Sequence, residues 1–134
     1  MTIFSRIIDG EIPCHRLYED EQVLAILDIG PLSRGHALLI PKQQVSGVHE
    51  LSDESAAAIG RVLPRLCRAI IEATGAEAYN VLANTGQSAG QEVMHVHFHI
   101  IPKMGDRGLG LVWKASELDP EEGRKLAEEI SSRL

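Results

Sequence analysis

The sequence predicts an α+β fold. Three observations carry this. Short aliphatic runs bounded by Gly and Pro read as strands, one long stretch with three- and four-residue apolar spacing reads as a helix, and a second such stretch closes the chain. Antiparallel strand pairs interrupted by one long helix, with another helix at the end, form an α+β pattern. The 134 residues fit a single domain, taken as 1–134, with room for a hydrophobic core. Only 4% of residues are aromatic, so that core is mostly aliphatic.

The elements follow in order. "IIDGEIP" (7–13) is a short apolar stretch broken at Asp9–Gly10 and Pro13. "QVLAILDI" (22–29) is aliphatic and short, as a buried strand should be. "GPLSRG" (30–35) is a loop, and "HALLIP" (36–41) a second strand stopped by Pro41. Residues 51–75 predict a helix. Ser52 or Asp53 caps its start, Ile59, Val62, Leu63, Leu66, Ile70 and Ala73 form its apolar stripe, and Gly75 ends it. Pro64 lies inside and is expected to kink or split it. "AYNVLAN" (78–84) and "VMHVHFHIIP" (93–102) read as two strands forming a hairpin or close pair around the small-residue loop "TGQSAGQE" (85–92). Residues 103–113 are Gly-rich and irregular. A last helix over 119–134 has Asp119 as cap, Pro120 at its first position, Glu122 closing a capping box, and an apolar face of Leu126, Ala127, Ile130 and Leu134.

Charge and cysteine content narrow the function. A net charge of −6 disfavours general nucleic-acid binding, which needs many Lys/Arg–phosphate contacts. Cys14 and Cys67 stand far apart, so neither a disulfide framework nor a Cys-rich zinc site is expected, and free thiols fit a reducing compartment. The N-terminus lacks the pattern of a signal peptide, and no apolar run approaches the ~20 residues that span a bilayer. The expected setting is cytoplasmic, with no membrane partner.

The most informative stretch is "MHVHFHIIP" (94–102). On a strand, alternate side chains share a face. His95, His97 and His99 therefore line one face, and Val96, Phe98 and Ile100 pack on the other. Three readings compete. Core histidines would each need their own hydrogen-bond partner. A metal site would need a third ligand that the neighbouring sequence does not supply. Nucleophilic and acid/base catalysis suits neutral imidazole near pH 7. The loop "NTGQSAGQ" (84–91) favours the third, because small residues let backbone N–H groups approach an anion. No P-loop sequence is present.

"HVHFHII" fits His-φ-His-φ-His-φ-φ, with φ apolar, and so resembles the signature of the histidine-triad (HIT) family of nucleotide hydrolases and transferases. The likeness is wider than the triad. "TIFSRIIDGEIP", "VLAILDI", "GHALLIPK" and "NVLANTGQSAGQEVMHVHFHIIP" resemble successive family segments, from about residue 2 to 113. The resemblance implies a HIT-like α+β fold whose antiparallel sheets join across a homodimer. It implies a purine nucleotide substrate of the AMP or GMP type and no metal or cofactor in the chemistry. His97 is implied as the nucleophile that forms a covalent nucleotidyl intermediate. His95 would orient it through its backbone carbonyl, His99 would contact the scissile phosphate, and His36 would hydrogen-bond to His95. Asp28 is implied for the ribose hydroxyls. Ile3, Phe4, Ile7, Ile26 and Ile29 would form the base pocket, and Asn84, Gly90 and Gln91 the polar contacts to phosphate and sugar. His15 and His49 match no catalytic position.

Some departures stand out. Thr2, Ser5 and Gln44 occupy positions where some family members carry zinc ligands. Glu92 stands near the leaving group where the phosphoramidase branch has Ser or Thr, either as a proton donor or as a charge that repels further phosphates, so leaving-group preference stays open, and Ile26 and Leu27 leave base selectivity open. "GLGLVW" (108–113) resembles the carboxy-terminal family segment, which puts Trp113 either near a partner's site or in the core. The expected activity is a nucleoside phosphoramidase, with a dinucleoside polyphosphate hydrolase or a non-catalytic nucleotide sensor as alternatives.

Overall fold

The structure, a computed structural model, describes residues 1–134. It is α+β. Helix α1 spans Ile3–Ile8 and α2 spans Asp53–Thr74, and α3 covers Pro120–Ser131. Five strands, β1 (Arg16–Glu19), β2 (Val23–Leu27), β3 (Ala37–Pro41), β4 (Ala78–Leu82) and β5 (Phe98–Lys103), form one antiparallel sheet in the order β1-β2-β3-β5-β4. No helix is long and apolar enough to cross a membrane.

Strand alternation divides the core in two. Val23, Ala25, Ala37, Leu39 and Ile100 face α2 and meet Ala58, Ile59, Val62, Leu66, Cys67 and Ile70. Leu24, Ile26, Leu38 and Ile40 face the other way and meet Phe4 and Ile7 of α1. The candidate site residues lie on this second side.

Helix α2 matches the expected segment, with Ser52 accepting from the Ser55 N–H and Gly75 as a left-handed cap. Pro64 does not split it: the helix runs 22 residues without a break. An interior proline costs about 3 kcal/mol. Burying Ile59, Val62, Leu66 and Ile70 around it offsets this, at about 1.5–3 kcal/mol per side chain. The expected β4–β5 pair is present and antiparallel. Helix α3 starts as expected, with Asp119 accepting from the Glu122 N–H and Pro120 at its first turn, yet none of its residues is buried. Trp113 is 82% exposed, so it is not a core residue.

The strand expected over 93–102 is shorter, beginning at Phe98. Only His99 of the triad lies in it. The β3–β5 ladder pairs Leu39 with Phe98. Two residues further it would set Val96 against Pro41, which has no N–H to offer. The Val96 N–H turns instead to the Val45 carbonyl at 2.8 Å. The Pro41 carbonyl is taken by the His95 ring at 2.7 Å.

Candidate active site

Register brings the distant residues together. Leu27 pairs with Ala37, so Asp28 and His36 face each other at the open ends of β2 and β3, where the Asp28 N–H donates to the His36 carbonyl at 2.9 Å. Leu38 pairs with His99, which sets the His36 and His99 rings side by side with centroids 5.2 Å apart. His97 follows at 4.9 Å from His99. Phe4 of α1 closes on His97 edge-on at 4.8 Å. A cavity of about 470 Å³ opens in front, lined by Ile3, Phe4, Ile7, Ile26, Asp28, Ile29, His36, Asn84, Gly90, Glu92, His97 and His99 among others. Gln91 and His95 do not line it.

The four histidines divide into two kinds. His95 and His36 have both ring nitrogens engaged. His95 Nε2–H donates to the Pro41 carbonyl at 2.7 Å, and its Nδ1 lies 3.5 Å from the Thr2 hydroxyl. His36 Nδ1 accepts the Leu32 N–H at 3.1 Å, so its proton is on Nε2, which faces His99 Nδ1 at 3.0 Å. His97 and His99 each keep one nitrogen for the cavity, and the two are complementary. His97 Nδ1–H donates to the His95 carbonyl at 2.8 Å, leaving a bare lone pair on Nε2. His99 Nδ1 accepts from His36, leaving Nε2–H as a donor. One imidazole offers a nucleophile and its neighbour offers a proton donor.

Burial holds these rings neutral. Desolvation lowers the pKa of His97 against the opposing pull of the His95 carbonyl. It lowers His36 against the nearby Asp28 carboxylate. His99 falls to about 4, through burial and then the charges that His97 and His36 would carry.

Several expectations change. His36 bonds to His99, not His95, because register places it beside the strand residue and His95 turns toward Pro41. Gln91 is a brace: its carbonyl accepts the Gly86 N–H at 2.8 Å, and its amide donates to the Ser46 and Val93 carbonyls. The small-residue loop is not an open anion nest at its tip. The N–H groups of Ala89, Gly90 and Gln91 bond back to Gly86 and Gln87, since the loop winds into a tight turn. Asn84 donates its side-chain amide to the Gly90 carbonyl at 3.3 Å. Ile29 borders the cavity but is 86% exposed. His15 and His49, which match no catalytic position, are exposed.

A metal reading gains the third ligand that the local sequence lacked. Ligand atoms of Asp28, His36 and His99 all lie within 4.8 Å of one another. The tautomers oppose it. His36 Nδ1 already accepts an N–H, so Nε2 must hold the proton, and a metal there would strip it to an imidazolate. His-x-His ligation by His95 and His97 fails as well, because His95 has no free nitrogen. Thr2 and Ser5 instead form a reciprocal capping box at the start of α1.

Comparison with known proteins places this arrangement. The family described as HIT domain matches residues 9–106.

The chain belongs to the HIT family.

Adenosine 5'-monophosphoramidase hnt1 of Schizosaccharomyces pombe is 52% identical over 133 residues, covering 98% of this chain and 97% of that protein. Adenosine 5'-monophosphoramidase HNT1 of Saccharomyces cerevisiae is 41% identical over 133 residues, covering 98% of this chain and 82% of that protein. The crystal structure of a member of the HIT family from Bacillus subtilis superposes with a TM-score of 0.94 at 42% identity, covering 99% of this chain and 96% of that one. Within this HIT chain, Leu32, whose N–H binds His36, Pro41, whose carbonyl takes the His95 ring, and Ser33, whose hydroxyl donates to the Pro102 carbonyl of β5, are contributors that the sequence did not announce. A backbone amide leaves no side-chain signature, and Ser33 reads as an ordinary loop residue.

Proposed function

We propose that this HIT protein hydrolyses nucleoside 5′-phosphoramidates, releasing a purine nucleoside monophosphate and an amine. The observation that carries the reading is the bare Nε2 of His97, backed by the His95 carbonyl and facing the cavity beside the His99 donor. His97 Nε2 attacks the α-phosphorus, the P–N bond to the amine breaks, and the amine leaves with a proton taken from solvent. The cationic phosphorylated ring keeps its Nδ1–H on the His95 carbonyl, which stabilises it. Water then attacks the same phosphorus, the bond to His97 breaks, and the proton released balances the one taken up. His99 donates to a phosphate oxygen throughout.

The remaining cavity residues fit a nucleoside. Asp28 anchors one carboxylate oxygen on the Gly30 N–H at 2.8 Å, leaving acceptor positions for vicinal ribose hydroxyls. Ile3, Phe4, Ile7 and Ile26 offer an apolar wall to the base. Residues 1–134 are taken as one functional unit that pairs with a second copy through the β4 edge, where Tyr79 and Val81 are exposed.

Glu92, an acidic residue at the rim, favours a leaving group that carries no further phosphates. Turnover of an adenosine phosphoramidate and a diadenosine polyphosphate by the same preparation tests this. The phosphoramidate is expected to be about 5- to 30-fold faster, as about 1–2 kcal/mol of repulsion at the rim implies. A faster polyphosphate would make the protein a dinucleoside polyphosphate hydrolase instead.

A further inference from the structure

The loop from Gly30 to Gly35 holds the proton pattern of the site. Ser33 is 2% exposed, and its hydroxyl donates to the Pro102 carbonyl at 2.6 Å. That bond ties the loop to β5, the strand carrying His99. From the solvent side, Arg107 Nε donates to the Leu32 carbonyl at 3.1 Å. Between these two anchors the Leu32 N–H is held on His36 Nδ1. The loop then turns back into β3 at Gly35, whose φ is +91° and where a Cβ would meet Thr74 Cγ2 at 2.6 Å.

A neutral imidazole carries one proton on one of two nitrogens. Without the Leu32 amide, only the Asp28 carboxylate, 3.5 Å from His36 Nε2, still favours a proton on that nitrogen, and His36 gains access to the Nδ1–H form. His99 would then donate from Nδ1 to His36 and turn a bare Nε2 toward the cavity. Two lone pairs, from His97 and His99, would face a phosphate anion, and the donor would be lost.

We propose that Ser33 is a positioning residue: by pinning the 30–35 loop to β5 it keeps the Leu32 amide on His36, and so keeps His99 a proton donor. Arg107 supports the same loop from outside. This deepens the proposed function, since it rests on His99 donating to phosphate.

Histidine tautomers are read directly by two-bond ¹⁵N–¹H correlation of the imidazoles in ¹⁵N-histidine-labelled full-length protein at pH 7. In the wild type, His36 and His99 are each expected to show a protonated Nε2 and a bare Nδ1. A His99 protonated on Nδ1 overturns the proposal, whatever the activity. In Ser33→Ala, His99 is expected to show both tautomers. Its kcat should fall roughly 10- to 100-fold, the scale for a displaced catalytic group, with KM changed less than about twofold. Ser33→Thr should restore both readouts. A single Nε2–H tautomer in Ser33→Ala removes Ser33 from this role. Should Ser33→Ala not fold, Ser33→Cys, which keeps the shape but offers only a weak donor, is read instead; a single Nε2–H tautomer on His99 there, with kcat unchanged, equally overturns the proposal. The tautomer measurement needs no substrate, so it fails independently of the hydrolase assignment.

Discussion

At the residue scale, the candidate site is marked by unequal engagement of four similar side chains. His95 and His36 have no nitrogen to spare, whereas His97 and His99 each keep one, with opposite hydrogen-bonding character. The sequence displayed the triad plainly, and the resemblance assigned His97 its role. What it could not display was which rings are saturated. That depends on Pro41, Thr2 and Leu32, which are far from the triad in sequence and contribute mostly backbone groups. Burial of these rings makes stability depend on pH. His36, His97 and His99 all have folded-state pKa values below the ordinary 6.5, His99 at about 4. Below pH 6.5 the unfolded chain therefore takes up protons that the folded chain refuses. Their contribution is fully present above about 6.5 and is lost as pH falls toward about 4. The urea midpoint is expected to be lower at pH 5.5 than at pH 7.5, with a smaller drop in His99→Gln. An equal or higher midpoint at pH 5.5 would contradict this account of the rings.

At the element scale, legibility followed periodicity. The long helix α2, the aliphatic strands β2 and β3, and the capped helix α3 carry repeating apolar patterns and sit where the pattern placed them. Two elements did not declare themselves. Helix α1 is six residues long, too short for a full stripe, and is defined by the Thr2–Ser5 capping box and by burial of Phe4 and Ile7. Strand β1, Arg16–Glu19, is an edge strand of mostly exposed residues with a register irregularity between Arg16 and Tyr18, so its alternation is blurred. The triad strand is shorter than its alternation predicts for a different reason. Its alternation continues through Met94, but Pro41 ends the ladder opposite Val96. The break has a consequence for the site. His95 leaves the strand face and binds the Pro41 carbonyl, and its own carbonyl is then available to His97. The amphipathic pattern of α3 is equally genuine in sequence, although its apolar stripe lies open within this chain.

At the scale of the whole molecule, the sheet separates two tasks. One face carries the α2 core, and the other carries α1, the cavity and the histidines. The α+β class and the HIT family were both legible beforehand, because the family's motifs recur in order along most of the chain. The β4 edge, with Tyr79 and Val81 exposed, predicts that two copies join their sheets. Sedimentation equilibrium should give about twice the 14.6 kDa chain mass. A species of single-chain mass at micromolar concentration would remove that pairing. The central claim, that His97 Nε2 attacks phosphorus, is tested most directly by catching the adduct. Enzyme mixed with an adenosine phosphoramidate, quenched in alkali within one turnover and digested, should yield a peptide carrying one adenylyl group on His97, and His97→Ala should yield none and no turnover. An adduct on His95 or His99, or undiminished turnover in His97→Ala, would contradict it.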